Sequence, residues 1–414
     1  MQKFSTMLSQ LDEARDVNSH MTHIEDSVIM QGVDGTRQAI NYLRSLRDML
    51  AGDTKAPVNV TVKWDGAPAV FAGIDPSDGN FFVAKKGIFN KNPKVYKSHA
   101  DIDADTSGDL NEKLKLAYTH MKDLGIKGVI QGDFLYAKKD LRKVDINGEP
   151  HITFHPNTIV YAIPEKSKLA KEILGSELGV VWHTEYRGDN FESMSASFGK
   201  EIASKLSTSK KVWSVDAMYK DVSGSATMTQ KETDAITKIL SDAGKKFNSI
   251  KKSTFEGIIA DKDLNVRVNA FINLKVREGT RIKNTSRFVT ELMDYVFEFY
   301  QKEIDKLKTE RGKEGKRKKR DEVMKFFSVT PKPQIVALFD LYNLIIDAKL
   351  MIISKLNRAK SIDTLLLTKD GYRVTGQEGF VAINHVGKNA VKLVDRLEFS
   401  KANFSPDVVK GWQR

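Results

Sequence analysis

In the stretch VTVKWDGAPAV, residues 60–70, a lysine stands two residues before an Asp-Gly pair, among strand-forming residues. Lys63 is either a solvated strand lysine or an amine presented for use as a nucleophile. Only the neutral amine attacks. An unperturbed lysine has a pKa of about 10.4, so moving it close to neutrality takes about three units, or roughly 4 kcal/mol. Several other chemistries are excluded. There are no cysteines, hence no disulfides, thiolate metal sites or cysteine nucleophiles. The patterns G-x-x-x-x-G-K-[ST], H-E-x-x-H and G-x-S-x-G are absent. His20 and His23, in HMTHIED, have metal-like spacing with Glu25 and Asp26 nearby, but histidines so placed are far more often surface or core residues.

The elements that position Lys63 are legible from periodicity. In PVNVTVKW, Val58, Val60 and Val62 share one strand face, and Asn59, Thr61 and Lys63 share the other. AVFAGI and NFFVAKKG read as the next two strands, with DPSDG as the turn between them. GVIQGDFLYA, TIVYAIP and LGVVWHTEY are further strands. Residues 36–50 and 109–124 have helical spacing, and KSKLAKEILG is a short helix. Gly52 is a reasonable stop after the first of these. From about residue 228 to 358 the chain turns mostly helical, with Thr285 or Ser286 expected to cap one long helix. Strands return in TLLLTKDGYRVT, which carries a hairpin signal, and then in EGFVAI and AVKLVDRLEF.

The 414 residues suit two or three domains, and no stretch of eighteen uncharged apolar residues is present. The N-terminus lacks a signal-peptide apolar region, so a cytoplasmic location without membrane attachment is expected. Net charge is +12, of which +7 lies in residues 306–320, KLKTERGKEGKRKKR. Such a run attracts polyanions through counterion release, or serves as a solvated helix–helix loop.

KWDG resembles the K-x-D-G nucleophile motif of the covalent nucleotidyltransferases, which comprise ATP-dependent DNA ligases, RNA ligases and capping guanylyltransferases. Further motifs follow in the family's order. Lys85, ahead of Lys86, falls in AKKG where the family has a basic residue on the next hairpin. VIQGDFLY resembles the acidic strand motif, with Asp133 for the more common glutamate. TIVYAIP resembles the strand whose aromatic residue stacks near the base, with Tyr161 or Phe154 in that place. EGFVAI resembles the E-G-x-V strand through Glu378, and AVKLVDR the last lysine-bearing strand through Lys392. The chain is also similar to ligase-like proteins of large tailed bacteriophages, which would place it in the host cytoplasm.

The resemblance implies that Lys63 attacks the α-phosphate of ATP and forms a phosphoramidate. Lys392, Lys85 and a bound Mg²⁺, with Mn²⁺ as an alternative, would disfavour a charged Lys63 and stabilise the developing phosphate charge. Asp133 and Glu378 would hold the metal or its waters. Gly66 would permit a tight turn close to the ligand, and Asp65 would orient the turn and the lysine. A second assignment of the late motifs, to Glu256 in TFEGIIADKD and Lys275 in INLKVREG, is set below Glu378 and Lys392, because residues 263–282 read as a helix start or a loop.

The expected fold class is α+β: a mixed, mainly antiparallel nucleotidyltransferase core of the ligase-adenylation type, with a large, mostly helical insertion. Residues 1–54 form an N-terminal helical segment. Residues 55–200 and 363–414 form the core, and 201–362 the insertion with its basic loop at 306–320. Only 22 residues follow Lys392, too few for an OB-fold, which favours an RNA ligase over a DNA ligase or guanylyltransferase. The expected function is therefore ATP-dependent RNA or polynucleotide ligation through a lysyl-AMP at Lys63, with RNA ahead of DNA as partner. The alternatives are a nucleotidyltransferase with another acceptor and a silent nucleic-acid-binding protein of the same fold.

Overall fold

The computed structural model describes residues 21–53, 58–219, 226–358, 362–384 and 389–413. The strands in chain order are β1 (Val58–Lys63), β2 (Ala69–Ile74), β3 (Phe81–Ala84), β4 (Val95–Tyr96), β5 (Val129–Ala137), β6 (Arg142–Ile146), β7 (Glu149–Phe154) and β8 (Ile159–Pro164). Then come β9 (Leu178–Arg187), β10 (Ser195–Phe198), β11 (Val212–Asp216), β12 (Asp363–Thr368), β13 (Gly371–Val374), β14 (Gly379–Asn384) and β15 (Asn389–Leu393). The helices are α1 (Ser27–Met30), α2 (Gly32–Leu50), α3 (His99–Asp105), α4 (Gly108–Met121), α5 (Lys168–Gly175) and α6 (Gln230–Ser249). They continue as α7 (Lys252–Ala260), α8 (Lys262–Arg277), α9 (Thr285–Asp305), α10 (Glu310–Val329), α11 (Lys332–Leu356) and α12 (Arg396–Phe404).

The chain is thus mixed α and β, with sheets that are antiparallel except where β11 runs parallel to β9. Three sheets form. The first has the order β1-β14-β15; the second runs β10-β9-β5-β2-β3-β4, with β11 also on β9; the third runs β13-β12-β8-β7-β6. Strands that follow the helices return to strands that precede them: β12 pairs with β8, and β14 with β1. The helical stretch from Gln230 to Leu356 is therefore bracketed by paired strands.

Burial follows the alternation read in the sequence only in part: Val58 and Val60 are buried, but so is Thr61, and Val62 is half-buried. Val58 and Val60 of β1, with Phe380, Ala382, Val391 and Leu393 of β14 and β15, pack onto the apolar stripes of α2, α6, α8, α9 and α11. The first sheet and the helices so share one core, and α2 belongs to that layer rather than to a separate N-terminal unit. The second sheet buries Val70, Ile130 and Trp182 against Leu114 and Ala117 of α4. Leu135, Tyr136 and Val181 pack against Phe154, Tyr161 and Ile163 of the third sheet.

Some boundaries differ from expectation. β11 lies in the segment expected to be helical, because Val212 and Trp213 complete the edge of β9. The cap of α9 is Asn284, one residue early, whose carboxamide accepts from the Arg287 N–H at 2.9 Å. No helix among the described residues is long and apolar enough to cross a membrane.

Candidate active site

Lys63 closes β1, and the β1–β14 register sets it opposite Gly379. That pairing brings Glu378, the residue before β14, against the amine: Lys63 Nζ donates to Glu378 Oε2. β15 is the next strand, with Lys392 opposite Val381. Asp133 enters from the second sheet. The chain after the lysine is stitched to β5 by Ala67 N–H to the Phe134 carbonyl, 2.9 Å, and by Phe134 N–H to the Pro68 carbonyl, 3.0 Å. Gly66 permits this approach, since a Cβ there would lie 2.6 Å from the Asp133 Cβ. Residues from β1, β5, β14 and β15 thus converge where the first and second sheets meet.

The charge distribution departs from expectation in one respect. Burial pulls the Lys63 amine down, but Glu378, Asp133 and Asp65 outweigh it and hold the group above its ordinary value. Neighbouring cations therefore do not neutralise Lys63 in this state; the Glu378 carboxylate in contact with it, with the fields of Asp133 and Asp65, outweighs burial. Burial pushes the Glu378 carboxyl up to about 7, against the pull of Lys63. Lys392 is held below its usual range, first by burial and then by Lys63, with Lys86 adding to the effect. Lys63, Glu378 and Lys392 therefore all hold their protons abnormally for their type.

Asp65 lies beneath the turn. Its buried carboxylate accepts from Asn157 Nδ2 at 2.7 Å, Thr158 N–H at 2.6 Å and Ile159 N–H at 2.8 Å. It ties the turn to the β7–β8 connection, and it reaches Lys63 only through its field. Tyr161 does not match its expected place. Its ring is fully buried, 5.0 Å from Trp64 and 5.2 Å from Phe154, and its hydroxyl accepts the Asp65 N–H at 2.7 Å. Neither Tyr161 nor Phe154 offers a face to a nucleotide base, because the second and third sheets close over both.

Lys85 also differs. Its amine pairs with Asp105 at 3.2 Å, and the exposed Lys86 is the one whose charge reaches Lys392. Glu256 and Lys275 sit on helices α7 and α8, where Glu256 pairs with Lys252 at 3.0 Å and Lys275 with Glu291 at 3.2 Å. The second assignment of the late motifs is thereby set aside. His20 lies outside the described residues. His23 is pushed down to about 3 by burial, and no cluster of three or more potential metal ligands occurs among the described residues.

One residue at the site escaped the sequence reading. His183 lies in β9 where the register to β5 slips, with Gln131 opposite Thr184 and Gly132 opposite Trp182. The bulge turns His183 toward β5, leaving Nε2 3.8 Å from Asp133 Oδ2. A histidine interrupting the apolar run LGVVW was the available signal.

The basic run is not a loop. Most of residues 306–320 fall in α10, where helical spacing sets acids between the bases. Lys313 and Arg317 pair with Glu310 at 3.2 and 3.5 Å, Lys319 with Asp263 at 2.9 Å, and Arg320 with Asp321 at 2.9 Å. Much of the local charge is so answered within the protein.

Two clefts lie elsewhere, within the helical layer. One, of about 340 Å³, is lined by Met228, Ile236, Lys355 and Arg358; the other, of about 500 Å³, by Lys251, Thr254, Lys325 and Phe326. Neither reaches Lys63. The titratable residues of the strand-borne group perturb one another, whereas Lys355 and Arg358 of the first cleft pair with Glu232.

Fold and site together define a mixed α/β chain with a lysine–carboxylate cluster assembled across two sheets. The chain belongs to a family of unknown function, DUF6267, matched over residues 18–407. No curated protein and no solved structure matches it.

Proposed function

We propose that this chain is a covalent nucleotidyltransferase acting as an ATP-dependent RNA or polynucleotide ligase, with a core of the ligase-adenylation type. The observation that carries the reading is the meeting of Lys63 with Glu378, 315 residues away in sequence, within the field of Asp133 and beside Lys392.

Lys63 Nζ attacks the α-phosphorus of ATP. A P–N bond forms, the α–β P–O bond breaks, and pyrophosphate leaves. The ammonium must first lose a proton; Glu378, in contact with it and with a carboxyl near neutrality, is the acceptor at hand once the bound triphosphate's cation opposes the charge on Lys63. Lys392 and Lys86 place positive charge where the phosphate becomes more negative. Asp133 and Glu378 offer two partly exposed carboxylates, which suits a hard cation that completes its shell with phosphate oxygens and water. Bound Mg²⁺ would supply neutralisation of the triphosphate charge. AMP then passes to a 5′-phosphate end, and a 3′-hydroxyl displaces it.

A second reading, transfer of the nucleotide to another acceptor, is favoured by the internal pairing of the basic helix α10, which weakens its attraction for polyanions.

The test is incubation with α-labelled ATP and Mg²⁺ followed by a denaturing gel. A labelled band is expected, lost at least about a thousandfold in Lys63→Ala. No label from ATP, GTP or NAD overturns the reading. Transfer from the labelled protein to single-stranded RNA, nicked DNA or tRNA then separates ligation from the second reading.

A further inference from the structure

Lys410 is a buried lysine that the proposed chemistry does not use. Its ammonium donates to the Ala402 carbonyl at 2.8 Å and to Thr158 Oγ1 at 3.3 Å. No carboxylate pairs with it among the described residues. An ammonium withdrawn from water is costly unless a countercharge or several acceptors compensate it. Burial lowers the affinity of Lys410 for its proton, and the countercharge that acts against this is Asp65.

The connection between the two runs through one turn. Thr158 Oγ1 accepts from Lys410 and donates to Asn403 Oδ1 at 2.6 Å. The Thr158 and Ile159 amides and the Asn157 side chain all donate to Asp65. Gly411 N–H, next to Lys410, donates to the Asn157 carbonyl at 2.7 Å. The β7–β8 turn is therefore gripped on one side by the C-terminal segment and on the other by the residue two beyond Lys63.

We propose that Lys410 is a positioning residue for the Lys63 loop: it fixes Thr158, and the Asn157–Ile159 turn in turn fixes Asp65 and the chain on either side of it. Its effect on nucleotidyl transfer rests on the reading of Lys63 above. Its effect on the loop does not.

The test uses the full chain with Lys410→Met, which keeps the apolar stem, Lys410→Arg, which keeps charge and donors, and the isosteric Thr158→Val. Lys369→Met, on the same C-terminal side in an exposed pair with Asp407, serves as control. Peptide-resolved hydrogen exchange and single-turnover labelling with α-labelled ATP are measured together. In Lys410→Met, exchange at residues 64–67 and 156–159 rises about tenfold or more, while α11 is unchanged. Labelling slows about tenfold, with half-saturating ATP altered less than about twofold, because the loop and not the nucleotide site is loosened. Lys410→Arg recovers both, Thr158→Val loosens the same segments, and Lys369→Met changes neither. Should Lys410→Met fail to fold, Thr158→Val decides.

The proposal is overturned by wild-type exchange at residues 64–67 in the folded variant, or by equal loosening of those residues and α11. It is also overturned if a folded Lys410→Arg restores neither readout. If the wild-type protein takes no label but the exchange pattern appears, positioning stands and the nucleotidyltransferase reading falls.

Discussion

Two lysine–glutamate pairs join distant parts of this chain, and they differ in kind. Lys349 and Glu25 meet at 2.7 Å with both side chains only 1% exposed. Lys349 also donates to the Val394 carbonyl, and Arg396 stands 3.9 Å from the same carboxylate while pairing with Asp26 at 2.9 Å. Lys63 and Glu378 are 29% and 16% exposed, and the anions Asp133 and Asp65 surround them. The carboxyls respond oppositely. Burial pushes Glu25 up, but Lys349, His23 and Arg396 more than reverse it, so it stays ionised. Glu378 has one close cation and rises to about 7. A pair in direct contact and shut off from water, with a second cation 3.9 Å from its carboxylate, is a fixed clamp. A pair short of positive charge and open to solvent can give up its arrangement to a ligand.

Removal of the lysine is the sharpest way to break this contrast. Lys349→Met leaves Glu25 buried without its contact cation, with only Arg396 3.9 Å away, and should cost about 3–5 kcal/mol in denaturant unfolding. Lys63→Met should cost less than about 1 kcal/mol, because Glu378 then protonates and has some access to water. Equal losses would mean that both pairs are structural.

A pH series sharpens the same contrast. The Glu378 carboxyl is raised in the folded state from an ordinary 4.5 to about 7. Its contribution to stability is thus complete below 4.5 and is lost as pH rises through about 7. The wild type should lose up to about 3 kcal/mol relative to Glu378→Gln across that window. His23, pushed down to about 3, acts in the opposite sense, and Asp26, raised to about 6, in the same sense. Both are common to the two proteins, so the difference isolates Glu378. A flat difference would remove its standing as a proton acceptor.

The smallest effect belongs to the basic helix. Arg311→Ala with Lys318→Ala should change stability by less than about 0.5 kcal/mol, and RNA gel-shift midpoints by less than about threefold. A large loss of RNA binding would restore α10 as a nucleic-acid contact.

Much of the strand pattern could be read from local sequence, because alternation in Val58, Val60 and Val62 fixes one face and the side of Lys63. The misreadings each have a local cause. TIVYAIP is apolar without alternation, the mark of a strand covered on both faces, so Tyr161 was destined for the core rather than a ligand. The β6–β7 hairpin turns at Asn147-Gly148, both at positive φ, a dipeptide that is itself a strong turn signal in the sequence. Residues 306–320 read as a loop, yet Lys, Arg and Glu are good helix formers and the acids fall at pairing distance. What no local pattern could reveal is partnership across the fold. Lys349 lies 324 residues from Glu25, and Lys410 lies 252 from Thr158. Such contacts depend on the packing of whole layers.

The register of β1 against β14 carries a consequence for biosynthesis. A ribosome adding roughly 5–20 residues per second needs about a quarter to a whole minute to travel the 315 positions from Lys63 to Glu378. Throughout that interval the emerging polypeptide holds an ordinary solvated lysine with no acid beside it. Prematurely terminated products therefore lack the Lys63–Glu378 pair, which forms only in chains translated past β14.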